Sequence, residues 1–216
     1  MTTEILPVQT PVGPGRWHLD PSDAPVATVL LGHGAGGGVA APDLELLARR
    51  LPAGRISVGR FEQPWRVAGR KVATAPAHLD QAWTAAVGRL AELGLLSGRL
   101  FFGGRSAGAR VACRTANSYP VAGVVCLAFP LHPPGRPGTS RAAELLAPRV
   151  PRLVLQGTRD TFGTPEEIRV GFGGDPGVRV VELPGADHGF RLAKAAPVSA
   201  ADLRAVLLAA VREFLA

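Results

Sequence analysis

Gly104-Arg105-Ser106-Ala107-Gly108 spells G-x-S-x-G directly after the apolar run Leu100-Phe101-Phe102. A serine between two glycines, after a strand and before a helix, is the pattern of a nucleophile elbow. Such a turn strains the serine backbone and lifts its hydroxyl beside a helix N-terminus. There, backbone N–H groups can hold a developing oxyanion. The chemistry expected is attack of a serine alkoxide on an acyl carbon, which needs a base within reach and an acid to orient that base. Two later residues answer in the right order. Asp160 follows the run Leu153-Val154-Leu155, and His188 follows the run from Val178 to Leu183. Ser106, Asp160 and His188 are the candidate catalytic residues.

A fourth piece precedes them. Leu31-Gly32-His33-Gly34-Ala35-Gly36-Gly37-Gly38 follows the run Val26 to Leu31. Glycines here let the backbone approach a reacting carbonyl, so the N–H groups of Ala35 and Ala107 are the candidate oxyanion donors. A phosphate loop is the rival reading, but no G-K-[ST] follows and no acidic residue sits where a dinucleotide fingerprint requires one. His132, after the strand run at Val121, is a rival base or a residue of the pocket wall. Asp187 is adjacent to His188 and is read as a turn-former. His33 is read as a brace for its own glycine turn. No H-E-x-x-H or C-x-x-C occurs, so no metal and no cofactor are expected.

The elements that must carry these groups alternate. Strand patterns at Val26, Arg55–Phe61, Leu100, Val121–Ala128, Leu153 and Val178 are separated by helical patterns. These helices span Pro42–Leu51, Pro76–Leu93, Ala107–Ser118, Pro165–Val170 and Ala201–Leu215. Alternation of this kind predicts a mainly parallel sheet with helices on both faces and each catalytic group at the C-terminal end of a strand. The chain of 216 residues is expected to form one domain, 1–216. Residues 1–23 are expected to be irregular, with a candidate strand at Arg16–Leu19.

Three stretches carry a family resemblance: Gly103 to Arg110, Phe129-Pro130-Leu131-His132-Pro133-Pro134-Gly135, and Gln156 to Gly163. With the serine, acid, histidine order, they make the chain resemble the α/β-hydrolase superfamily, in a small dienelactone-hydrolase-like branch. That branch also includes a subunit of a nuclear histone-acetyltransferase (NSL) complex. The resemblance runs from Val26 to the C-terminus and implies an α/β-hydrolase fold. It departs from true dienelactone hydrolases at the nucleophile, where Ser106 stands in place of the usual cysteine. Phe129 to Arg141 stands where larger relatives insert a lid and is too short for a cap domain, which predicts an open cleft.

Composition narrows the partners. The formal net charge is +7, from 24 basic and 17 acidic residues, and only Lys71 and Lys194 of the basic ones are lysines. The arginines are dispersed and not interleaved with aromatics, which argues against nucleic acid. Arg60, Arg105 and Arg159 fall at or near strand ends on the catalytic side. They predict a positive rim that favours anionic acyl substrates; salt bridges among the loops are the competing expectation. Arg60, Arg105, Trp65 and His132 are thus the candidate substrate-binding residues, with Trp65 either lining the cleft or capping the core. No apolar run suits a membrane helix, and no secretory pattern opens the chain. Cys113 and Cys126 read as buried apolar residues, and a cytoplasmic location is expected. The expected activity is hydrolysis of an ester, thioester or similar small acyl bond. Acyl transfer by the same residues and a weakly catalytic interaction module stay open.

Overall fold

The computed structural model describes residues 3–172 and 174–216. Eight strands form one sheet: β1 (Glu4–Thr10), β2 (Gly13–Asp20), β3 (Ala27–Gly32), β4 (Ile56–Glu62), β5 (Arg99–Arg105), β6 (Val121–Leu127), β7 (Arg152–Gly157) and β8 (Val178–Leu183). Their spatial order is β1-β2-β4-β3-β5-β6-β7-β8. The pairs from β4 to β8 are parallel, whereas β1 and β2 join antiparallel.

The helices are α1 (Pro42–Arg50), α2 (Pro64–Val67), α3 (Pro76–Glu92), α4 (Ala107–Thr115), α5 (Ala142–Leu146), α6 (Pro165–Gly171) and α7 (Ala200–Leu215). Each core face has its own set. Leu44 and Leu47 of α1 and Leu203 and Leu207 of α7 pack with Phe101, Leu127 and Leu155 on one face. Trp83 and Leu90 of α3 and Val111 and Ala112 of α4 pack with Trp17, Phe61 and Phe102 on the other. Neighbours Phe101 and Phe102 point to opposite faces because side chains alternate along a strand. Both are buried, which is why the central strands read as unbroken apolar runs.

Residues 4–20 are a correction to the sequence reading, which expected an irregular segment over 1–23. They are not irregular: β1 and β2 form a hairpin, and β2 pairs with β4 from Arg16↔Glu62 to Asp20↔Val58. β1 is the sheet edge and is mostly exposed, so it lacks an apolar alternation that a sequence pattern would show. Pro7 lies on this edge strand, where a missing N–H costs little. Trp17 anchors the hairpin, donating its Nε1–H to the Ala86 carbonyl of α3 at 3.0 Å. Between β6 and β7 only a loop and the five-residue α5 occur, so there is no large cap. Among the described residues, no helix is long and apolar enough to cross a membrane.

Candidate active site

The elbow is built by backbone contact. β3, β5 and α4 meet at Gly32, Gly104 and Gly108. A Cβ on Gly108 would lie 2.3 Å from the Gly32 carbonyl carbon and oxygen, and one on Gly104 would lie 2.5 Å from that oxygen. Any side chain at either position would push the strand and helix apart. Ser106 sits between them with φ 51° and ψ −110°, a region that L-residues seldom enter. Its N–H donates to the Leu127 carbonyl at 2.9 Å and its carbonyl accepts from Arg110 N–H at 3.2 Å, so the strained turn is held from both sides.

Ser106, His188 and Asp160 meet at this point. Ser106 Oγ lies 2.9 Å from His188 Nε2, and His188 Nδ1 lies 2.8 Å from Asp160 Oδ2. With the imidazole proton on Nδ1, the ring donates to Asp160 and accepts the serine hydroxyl proton. Asp160 is buried, and each of its oxygens has a further donor. Gln156 Nε2–H reaches Oδ2 at 2.9 Å, and Phe162 N–H reaches Oδ1 at 2.8 Å. The Phe162 ring stacks on the His188 ring, with centroids 4.1 Å apart.

The turns bearing acid and base lock together. Arg159 N–H donates to the Ala186 carbonyl at 2.9 Å, and Gly185 N–H donates to Thr158 Oγ1 at 2.8 Å. A Cβ on Gly157 would lie 2.3 Å from the Ala186 oxygen, so only glycine permits this approach. Asp187 shapes the turn as its position suggests, its Oδ1 accepting from Gly189 N–H at 2.7 Å and Arg191 N–H at 2.9 Å.

Opposite the serine, the turn after β3 is braced by His33. Its Nδ1 pairs with the Gly34 carbonyl at 2.9 Å and its Nε2 accepts from Gln63 N–H at 3.1 Å. Burial pushes His33 below the usual 6.5, which keeps the ring neutral and able to accept. Among the described residues, no acceptor bonds the N–H of Ala35 or of Ala107. Ala107 opens α4, where the first N–H groups have no partner inside the helix.

Ser106 and His188 open into a cleft of about 700 Å³ between the glycine turn, α1, the His188 loop and α7. The candidate substrate residues fare differently there. Arg60 is only 7% exposed; its guanidinium bonds Asp20 at 3.1 Å and the Val39 carbonyl at 3.0 Å, so it is a core ion pair and not a rim residue. Trp65 is buried against the His33 ring and borders a void of about 10 Å³ that Ala35 and Ala107 also line. It caps the core. His132 is also buried, turned to the Pro133 carbonyl at 2.9 Å and to Glu167 at 3.5 Å, and does not meet the serine. Arg159 is exposed and outside the cleft. Arg105 does line the cleft, but Asp43 engages it at 2.7 Å.

Sequence reading missed the supports. Gln156 and Asp43 act through partners distant in sequence or hidden inside a motif. Arg191 and Arg204 line the cleft and, among the described residues, have no carboxylate partner. Among the described residues, no group of three or more His, Cys, Asp or Glu is arranged to hold a metal ion.

Comparison with known proteins agrees with this architecture. The profile of the family described as "Alpha/beta hydrolase domain" matches residues 25–216. A search among curated proteins gives no match. Among solved structures, a lidless α/β serine hydrolase from Xanthomonas campestris is similar with a TM-score of 0.73 and 23% identity, covering 100% of this chain and 96% of that one. An α/β serine hydrolase homologue from Coxiella burnetii aligns with a TM-score of 0.76 and 22% identity, over 97% of each chain. A dienelactone hydrolase from Anabaena variabilis gives a TM-score of 0.76 at 16% identity, over 99% of this chain and 96% of that one. With a family match from the third strand to the last residue and this sheet order beneath it, the chain belongs to the α/β-hydrolase family.

Proposed function

We propose that this protein is a serine hydrolase that cleaves an ester, thioester or similar small acyl bond. One observation carries the reading: the unbroken chain from Ser106 Oγ to His188 at 2.9 Å and from His188 to Asp160 at 2.8 Å. Ser106 Oγ attacks the acyl carbon while its proton passes to His188 Nε2. The carbonyl electron pair moves to oxygen, where the Ala35 and Ala107 N–H groups receive it. Asp160 accepts the Nδ1–H of His188 and stabilises the imidazolium. Collapse breaks the bond to the leaving group, which takes the proton from Nε2. Water then attacks the acyl carbon as His188 Nε2 takes its proton, and collapse releases the acid while that proton passes to Ser106 Oγ, restoring the serine. An exposed apolar face for a partner is not needed to explain these groups, which speaks for catalysis over a scaffold role. Cys113 and Cys126 are buried free thiols whose sulfurs lie 3.5 Å apart without a disulfide, which suits a reducing cytoplasm.

A fluorophosphonate probe tests the reading. Wild type should label and Ser106→Ala should not, with unchanged circular dichroism. Asp160→Asn should label about 10⁴-fold more slowly, since the wrong histidine tautomer is then favoured. Folded wild type that fails to label would overturn the reading.

The unpartnered Arg191 and Arg204 support acyl substrates that carry a negative charge. Arg191→Gln/Arg204→Gln should lower kcat/KM for a succinyl half-ester about fivefold relative to the neutral ester of equal length, a difference that salt should erase. Equal discrimination in variant and wild type would refute this substrate class.

A further inference from the structure

The residue before the elbow serine, Arg105, has its two terminal nitrogens committed. One donates to Asp43 Oδ2 of α1 at 2.7 Å, and the other donates to the backbone carbonyl of His188. Its guanidinium also stands over the Phe190 ring, 5.5 Å from the centroid. Asp43 is held in turn: its Oδ1 accepts from Leu44 N–H at 3.0 Å, and its side chain is 4% exposed. A substrate anion would have to displace a buried carboxylate to reach this arginine.

The loop from 187 to 191 is closed at its base by an antiparallel bridge between Ala186 and Leu192. Its backbone bonds are internal, Asp187 N–H to Arg191 O at 3.0 Å and Phe190 N–H to Asp187 O at 2.9 Å. Asp187 Oδ1 takes the N–H groups of Gly189 and Arg191. Among the described residues, the one hydrogen bond from the backbone of 187–191 to the rest of the protein is the one that Arg105 gives to His188. The residue preceding the nucleophile thus grips the backbone of the base.

We infer that Arg105 is a positioning residue: clamped by Asp43, it fixes the His188 backbone so that the imidazole stays in line between Ser106 and Asp160. This rests on the serine-hydrolase reading above and adds to it a part that the triad geometry alone does not contain. The planar fork of arginine matters, because one guanidinium must hold a carboxylate and a carbonyl in fixed directions. A lysine ammonium lacks that fixed two-pronged geometry.

The test uses Arg105→Lys, Asp43→Asn and the double variant Arg105→Met/Asp43→Leu, which leaves no lone buried charge. Each is measured for kcat and KM on a neutral acyl ester that wild type turns over, for probe-labelling rate, and for the downfield NMR signal of the His188 Nδ1 proton. The clamp predicts that kcat and labelling fall about tenfold or more in Arg105→Lys, with KM nearly unchanged, because a small misplacement of a reacting group is costly. The Nδ1 signal should broaden or shift. Asp43→Asn should show the same effects in milder form, since Asn still accepts from Arg105. If the single variants do not fold, the double variant decides by the same measurements. Wild-type kcat, labelling and Nδ1 signal in folded variants would overturn the inference, as would a rise in KM with kcat unchanged, which would make Arg105 a substrate contact. Failure of wild type to label would instead overturn the serine-hydrolase reading. The Nδ1 signal of wild type against Arg105→Lys then still tests the clamp, and an unchanged signal would sink it.

Discussion

The elbow and the His188 loop deliver groups to the same point by opposite means. The elbow is backbone against backbone: three glycines let β3, β5 and α4 touch, and Ser106 is lifted where they meet. The His188 loop is held largely by side chains reaching from elsewhere, with Arg105 at its carbonyl, Asp160 at its imidazole and Phe162 on its ring. The first device joins the five-residue turn 104–108 to Gly32 of β3 and leaves no room for an added atom. The second joins residues 28 and 83 positions apart. A backbone contact fails completely, because neither partner can rotate away, whereas a network of side chains loses function in steps.

Gly108→Ala tests the first half of that contrast and should have the largest effect. The new Cβ would lie 2.3 Å from Gly32, against backbone that has nowhere to move. We expect a loss of about 3 kcal/mol of stability, with probe labelling abolished even where the protein still folds. Denaturant melts read the first and labelling the second. A variant that keeps both would show that α4 can slide off β3 and that the glycine contact is not what holds the serine.

Gln156→Leu tests the second half. Gln156 is fully buried, and its amide N–H groups serve the Asp160 carboxylate at 2.9 Å, the Gly163 carbonyl at 2.7 Å and the Phe129 carbonyl at 3.2 Å. Leucine has similar bulk and none of these donors. The expected cost is about 2 kcal/mol, since a buried carboxylate loses one partner while keeping Phe162 N–H. Labelling should slow about tenfold and not vanish, because His188 still holds Asp160. Complete loss of labelling would place Gln156 among the groups that the site cannot do without and would erase the graded behaviour claimed for this side.

The same contrast explains what could be read from the chain. The glycine pattern around Ser106 and the apolar runs before Asp160 and His188 are local, and steric need ties residue type to position within a few residues. The parallel sheet was legible for the same reason: buried central strands such as Ala27–Gly32 are apolar throughout. The hairpin at the N-terminus was not, because an edge strand exposes most of its residues and has no apolar signature. Nor were the partners of the arginines legible. Arg60 and Arg105 both stand at strand ends, as a positive rim would require, yet Asp20 and Asp43 neutralise them. An arginine in sequence gives its charge but not its partner, and pairing across 40 or 62 residues is a property of the fold. Arg191 and Arg204 carry no local mark that sets them apart from other surface arginines until α7 folds against the cleft.

The smallest effect sharpens the comparison most. α4 carries an ion network on its outer side: Glu144 of α5 accepts from Arg110 at 2.6 and 2.7 Å and from Arg114 at 2.8 Å. If backbone contact alone fixes the elbow, this network stabilises the fold without serving Ser106. Glu144→Gln should cost about 1 kcal/mol, as partly exposed ion pairs do, and leave the labelling rate unchanged. Burial would raise the Glu144 carboxyl, but Arg110 and Arg114 outweigh it and hold it below the ordinary 4.5. The folded state therefore binds this proton less readily than the unfolded chain. The contribution is complete above the ordinary value and fades as pH falls through the lower folded value, so wild type and Glu144→Gln should converge in stability in acid. Melts across pH 3 to 7 measure that convergence, at roughly the range where carboxylates titrate. A labelling rate that falls along with stability would mean that side-chain pairs hold the elbow too, and the division between the two halves of the site would not stand.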